Sequence, residues 1–135
     1  MDHALTHLKS HSSKQPTFTV IWFPSPHLPH RETASNPDLY KGQPHAPYYQ
    51  EITLIDEQIG RLRGTLRDLK IANNTLLWYM SDNGGLVKES SGGRAKKGSV
   101  YEGGLRVPSI IEYPSKFEPT RISAPTLSLI HISEP

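Results

Sequence analysis

Asp82 and Asn83 stand side by side at the end of an apolar run, Thr75-Leu76-Leu77-Trp78-Tyr79-Met80-Ser81, and Gly84-Gly85 follow at once. Two neighbouring oxygen-bearing side chains can hold a hard cation such as calcium, and the glycines let the backbone fold tightly around what is bound. A second candidate is His27, in the proline-rich stretch Pro24-Ser25-Pro26-His27-Leu28-Pro29-His30. A third is the Gly/Ser/Lys loop of residues 84–98, which carries Lys88, Arg94, Lys96 and Lys97. A cation site, a histidine and a basic glycine loop together suit an oxyanion: metal and lysine for its negative oxygens, histidine for proton transfer.

Each feature also has a purely structural reading. Asp-Asn-Gly-Gly is good turn chemistry in any protein. A histidine between prolines is commonly just packed in its loop, and His30 is a near neighbour with less to recommend it. A basic loop diluted by Glu89 is ordinarily a solvated face. Glu102 and Arg106 read as structural pairs or backbone partners in a turn. Asn73-Asn74-Thr75 matches a glycosylation sequon, a short pattern that arises often by chance. The combination, not any one feature, favours chemistry.

The elements that must position these residues form a crossover pattern. Residues 2–10 place Ala4, Leu5 and Leu8 at helical spacing and end in a polar turn at 11–16. Residues 17–23, Thr-Phe-Thr-Val-Ile-Trp-Phe, are strand-like, and the prolines after them exclude a helix. A polar loop runs to about residue 47. Ile52, Ile55, Ile59, Leu62, Leu66 and Leu69 then alternate spacings of three and four, one apolar stripe of a long helix. Glu51, Asp56, Glu57, Arg61, Arg63, Arg67 and Asp68 fall on its other faces, and Asn73-Asn74 break the chain before the strand at 75–81. The stripe reads as core.

Strand, helix, strand predicts two parallel strands in one sheet. The run at 75–81 has no alternation, which suits a central strand buried on both faces. In open α/β sheets the ligand site lies beyond the carboxyl ends of the strands. Parallel pairing would bring His27 and Asp82-Asn83 to that same edge. Tyr101-Glu102-Gly103-Gly104 reads as a tight turn, residues 107–113 as a third strand interrupted by Pro108, and the remainder from Pro114 as irregular.

Composition bounds the rest. At 135 residues the chain is at most one domain, and with 35% apolar residues, 12 prolines and 10 glycines it must contain long loops. A formal net charge of +2 is too small to argue for a nucleic-acid partner. There is no cysteine, hence no disulfide, thiolate metal site or cysteine nucleophile. No run is long enough to span a membrane, and residues 1–7 lack the apolar core of a signal peptide.

The motifs resemble those of the arylsulfatase-like (type I) sulfatases of the alkaline phosphatase superfamily. The resemblance rests on Leu77-Trp78-Tyr79-Met80-Ser81-Asp82-Asn83-Gly84-Gly85, on Lys97-Gly98-Ser99-Val100-Tyr101-Glu102-Gly103-Gly104-Leu105-Arg106-Val107-Pro108, and on Phe23-Pro24-Ser25-Pro26-His27-Leu28-Pro29, in the family's order. It covers most of residues 4–125. It implies an α/β fold, part of a mixed, mostly parallel sheet flanked by helices, with residues 1–126 as a partial catalytic domain. It implies calcium as cofactor, with Asp82 and Asn83 as two ligands and the rest from upstream sequence. Lys97, which directly precedes the Gly-Ser-Val-Tyr-Glu-Gly-Gly run, matches the lysine that contacts the sulfate and the leaving oxygen. His27 matches the histidine that contacts the ester oxygen and can protonate the leaving group. The implied partner is a sulfate-ester small molecule or sulfated glycan, in a secreted, lysosomal or periplasmic parent.

Departures accompany the resemblance. The family's nucleophile is a formylglycine made from a Cys/Ser-x-Pro-x-Arg motif; Ser123-Ala124-Pro125-Thr126-Leu127 has leucine where the arginine belongs and lies at the wrong end. The paired amino-terminal aspartates and the second lysine–histidine pair are absent too. The expectation is a fragment lacking the upstream half of the catalytic domain and inactive by itself. Residues 127–135, Leu-Ser-Leu-Ile-His-Ile-Ser-Glu-Pro, do not resemble the family but do resemble translated sequencing adapter, so no role is expected for His131. Two other readings stay open: a non-catalytic calcium- or anion-binding module, and a phosphoester hydrolase of the same superfamily.

Overall fold

A computed structural model describes residues 1–11, 15–31 and 33–123. The tail at 127–135, with His131, and all but the first residue of Ser123-Ala124-Pro125-Thr126-Leu127 lie outside the described residues. The longest element is helix α2, Ala46–Asp68, with α1, Asp2–His11, before it. After α2 come strand β1, Leu77–Met80, a single helical turn α3, Glu102–Leu105, and strand β2, Ser109–Glu112.

The apolar stripe explains where α2 packs. Ile55, Leu62 and Leu66 are buried, whereas Ile52, at the start of the stripe, is exposed. Leu62 and Leu66 join Leu5 of α1 in one cluster, against which Met1, Leu8, Ile21, Ile71, Ala72 and Leu77 pack. The helix begins six residues before the stripe does. His45 takes a left-handed conformation (φ 59°) and Pro47 sits in the first turn, where its fixed φ fits and no N–H is needed. It ends at Lys70 (φ 60°) rather than at Asn73-Asn74. Lys70 N–H donates to Arg67 O at 2.9 Å and Ile71 N–H to Leu66 O at 3.0 Å. These are the two bonds of a Schellman cap, and Ile71 then reaches the core cluster.

The described residues contain a two-stranded sheet, and it is antiparallel. β1 pairs with β2 in the register Leu77–Glu112, Trp78–Ile111, Tyr79–Ile110 and Met80–Ser109. The expected parallel partner, residues 17–23, forms no strand. Its exposure explains why: residues 17–20 and 22 are all exposed. Ile21 packs on the core, while Phe18 (92% exposed) and Trp22 (86% exposed) point away. A parallel strand needs cover on both faces, and here α1 and α2 supply one. For the same reason β1 is half-buried, not enclosed. The fold is therefore α/β in content, without the mostly parallel sheet. Arg63 of α2 clamps the sheet to the helix with two hydrogen bonds to Glu112, at 2.7 and 3.0 Å.

Candidate functional site

The sheet ends where the candidate chemistry begins. Ser81 N–H reaches Pro108 O at 3.4 Å, one step past the β1–β2 ladder, and the Ser81 hydroxyl donates to Asn83 O at 2.9 Å. The Asn83 amide nitrogen donates to Gly84 O at 3.2 Å, so the side-chain amide presents its oxygen elsewhere. Asp82 is exposed, and among the described residues its carboxylate has no hydrogen-bond or ionic partner. Hard oxygen donors are what calcium takes, so the pair fits the ion. It supplies only two of the roughly six to eight ligands required, and the described residues contain no group of three or more His, Cys, Asp or Glu placed to hold a metal.

The Asp82-Asn83 turn is bound to the basic loop through backbone. Gly84 N–H donates to Gly104 O at 2.8 Å, Lys97 N–H to Gly85 O at 3.0 Å, and Gly103 N–H to Arg94 O at 2.8 Å. This contact exists because there are no side chains in it. A Cβ on Gly84 would lie 1.8 Å from Gly103 O, and one on Gly104 would lie 2.0 Å from Ser99 O. The sequence Asp-Asn-Gly-Gly and the sequence Glu-Gly-Gly are the two halves of one close backbone approach. The Arg94 guanidinium stacks 3.7 Å over the Tyr101 ring and braces the loop from outside. Ser91, almost wholly buried, donates to Lys88 O at 2.8 Å. Lys97 is half-buried and Lys96 exposed. Glu102 and Arg106 meet through backbone, Arg106 N–H to Glu102 O at 2.7 Å.

His27 sits in a turn closed by its own N–H to Pro24 O at 3.0 Å. Its Nδ1 lies 2.8 Å from Leu28 O. A carbonyl only accepts, so Nδ1 carries the proton and Nε2 is the nitrogen that can exchange one. His30 differs: its Nε2 reaches Pro26 O at 3.1 Å and its ring packs on Tyr48 at 5.6 Å, which makes it a loop anchor. No hydrogen bond, ion pair or ring contact among the described residues joins His27 to Asp82, Asn83 or Lys97. The expectation of one shared edge depended on the parallel pairing that does not form.

Sequence reasoning passed over three residues of α2 that hold the loop after His27. Gln50 accepts from Ala34 N–H at 3.1 Å and donates to Asn36 O and Pro37 O at 3.0 and 2.9 Å. Glu51 accepts from Arg31 N–H at 2.7 Å, and Glu57 from Ser35 N–H at 2.9 Å. Glu51 is buried (2% exposed), not on a solvated face. The available signal was Gln50 and Glu57, two turns apart on one face, following a loop whose backbone donors needed partners.

This is the setting in which the comparisons with known proteins fall. The Sulfatase family matches residues 1–133 of this sequence, and the chain belongs to that family. It is 35% identical over 88 residues to a sulfatase of Formosa agariphila, covering 58% of this chain and 16% of that protein. It is 30% identical over 131 residues to the N-acetylgalactosamine-6-sulfatase of Canis lupus familiaris, covering 91% of this chain and 24% of that protein. It is 32% identical over 99 residues to the steryl-sulfatase of Mus musculus, covering 65% of this chain and 16% of that protein. The chain thus spans a quarter or less of the length of these relatives. No solved structure matches it significantly.

Proposed function

We propose that this chain contributes the calcium-side and sulfate-side loops of a sulfatase active site that hydrolyses sulfate esters. The observation that carries the reading is the backbone joint between the Asp82-Asn83 turn and the Lys97 loop, Lys97 N–H to Gly85 O at 3.0 Å and Gly84 N–H to Gly104 O at 2.8 Å. It makes two oxygen donors and a cation parts of one structural unit. In this reading Asp82 and Asn83 would be two of the ligands of a calcium ion, which would supply positive charge for the sulfate oxygens. The Lys97 ammonium lies against the sulfuryl oxygens, where charge develops in the transition state. His27 gives the proton on Nε2 to the departing alcohol oxygen, with Nδ1–H held by Leu28 O. A formylglycine, for which this chain carries no precursor motif, would supply the nucleophile from elsewhere in a full-length enzyme. The substrate is a sulfate-ester small molecule or a sulfated glycan.

Within its 135 residues the chain has no cysteine and no Ser-x-Pro-x-Arg run, which favours a second reading for this stretch by itself: a calcium- and anion-binding segment without turnover. One assay separates the readings. A full-length polypeptide carrying this segment is tested with an aryl sulfate and with the matching aryl phosphate, with calcium present. The expected result is sulfate release that disappears in Asp82→Ala. Preference for the phosphate ester, or sulfate release unaffected by Asp82→Ala, would overturn the proposal. The 135-residue chain alone is expected to release none.

A further inference from the structure

We propose that Glu51 is a positioning residue for His27: its buried carboxylate fixes the chain just after the histidine loop, and so fixes which imidazole nitrogen carries the proton. The inference rests on the reading of His27 as the proton donor, and it adds the device that orients it.

Four contacts carry the argument. His27 lies on a turn of six residues from Pro24 to Pro29, closed at its start by His27 N–H to Pro24 O. The turn has no strand or helix of its own to hold it. Its far end is held twice by α2. The His30 ring packs on Tyr48 at 5.6 Å while its Nε2 reaches back to Pro26 O at 3.1 Å. One residue on, Arg31 N–H donates to Glu51 Oε1 at 2.7 Å. Tyr48 and Glu51 are both buried and lie three residues apart, on one face of the first two turns of α2. The loop is therefore tied to α2 through a side chain that is itself buried.

The burial matters as well as the reach. Glu51 is 2% exposed, and a buried polar side chain is retained only where hydrogen-bond donors compensate for its lost hydration. A loop held in that way keeps Leu28 O at 2.8 Å from His27 Nδ1, so the neutral imidazole is kept as the Nδ1–H tautomer and Nε2 is left as the nitrogen that exchanges its proton. A loop free to move would let the ring sample both tautomers.

The test reads the tautomer directly and needs no turnover. Nitrogen-15 NMR of the His27 ring is recorded above its pKa in the 135-residue chain, in Glu51→Ala and in Glu51→Gln, with amide exchange followed at Arg31 and at Leu62 and Leu66. The expected result is a predominantly Nδ1–H ring in the native chain, a tautomer mixture in Glu51→Ala with Arg31 exchange faster by about tenfold or more, and substantial recovery in Glu51→Gln, whose amide oxygen can still accept. Leu62 and Leu66 should keep their protection in both variants. A native ring that is not predominantly Nδ1–H, an unchanged tautomer in Glu51→Ala, or equal loss of protection at Leu62, Leu66 and Arg31 would each overturn the proposal. The proton-donor role of His27 is tested separately by His27→Ala in the sulfate-release assay, so either idea can fail while the other stands.

Discussion

The backbone N–H of Lys97 donates to the carbonyl of Gly85 at 3.0 Å. The bond ties the lysine's backbone to the glycine two residues after Asn83, although 12 positions separate Lys97 from Gly85 in the chain. Lys96 has no such bond and is exposed.

Lys97→Ala, in a full-length enzyme carrying this segment, should lower kcat by roughly 10²–10³-fold, the usual cost of removing one contact to developing charge. Lys96→Ala should be nearly silent. The melting temperature should hardly move for either, because neither side chain is part of the core. Arginine at 97 should restore little, since a planar fork does not replace a compact ammonium. Equal losses of kcat at 96 and 97 would refute the assignment.

Gly84→Ala should break the joint between the two loops. The new Cβ would meet Gly103 O at 1.8 Å, backbone that cannot rotate aside, and overpacking of this kind costs on the order of 1–3 kcal/mol or more. Gly60→Ala is the control: it lies within α2 with nothing inside 4 Å of its new Cβ. Alanine there should stabilise by about 0.5–1 kcal/mol. Urea unfolding of the two variants should shift in opposite directions.

Arg63 and Glu112 should confer a pH-dependent contribution. The hydrogen bond from Arg63 holds the Glu112 carboxyl below its ordinary value of 4.5; burial partly opposes this and the Arg63 charge adds to it. A carboxylate with a depressed folded pKa stabilises the fold above its unfolded value, and the contribution is lost as pH falls through the lowered folded one. Both side chains are about a third or more exposed, at 45% and 35%, so screening keeps the effect below about 1 kcal/mol. Glu112→Gln should therefore be slightly less stable at neutral pH, with the gap closing below pH 4.5. A gap that is the same in acid would exclude the ion pair as its source.

Phe18→Ser with Trp22→Ser should reduce aggregation without loss of stability. The two side chains are 92% and 86% exposed, so replacing them costs within about ±0.5 kcal/mol. They stand on a β-prone segment that pairs with no strand among the described residues, and exposed apolar chain of that kind templates association. Light scattering and thermal unfolding measure the two quantities. A large fall in melting temperature would show that these rings pack against something in solution.

Much of the architecture was legible locally. The stripe from Ile55 to Leu66 announced α2 and its buried face, because a helix repeat is written in nearest neighbours along the chain. Asp82-Asn83-Gly84-Gly85 and Tyr101-Glu102-Gly103-Gly104 announced two turns, because glycine pairs tolerate backbone geometry that other residues resist. Asp82, Asn83 and His27 stood out by type and position, Lys97 was picked out of its basic loop by the resemblance, and the family they resemble is the family the chain belongs to.

What the sequence could not state was who pairs with whom. Residues 17–23 and 75–81 are equally strand-like, but strand pairing is a contact between distant segments and depends on what covers each face. Two helices cover one face, so β1 took β2 antiparallel and Phe18 and Trp22 were left outside. Glu51 was equally undecidable: a glutamate beside an apolar stripe reads as solvated until a loop donor such as Arg31 N–H is folded against it. The sequence by itself determined the local elements, the turn chemistry and the family. Only the tertiary structure decided that Gly84 and Gly104 touch, that Lys97 joins the Asp82-Asn83 turn, and that the buried Glu51 carboxylate accepts from Arg31 N–H, because each is a contact between residues that local patterning cannot see.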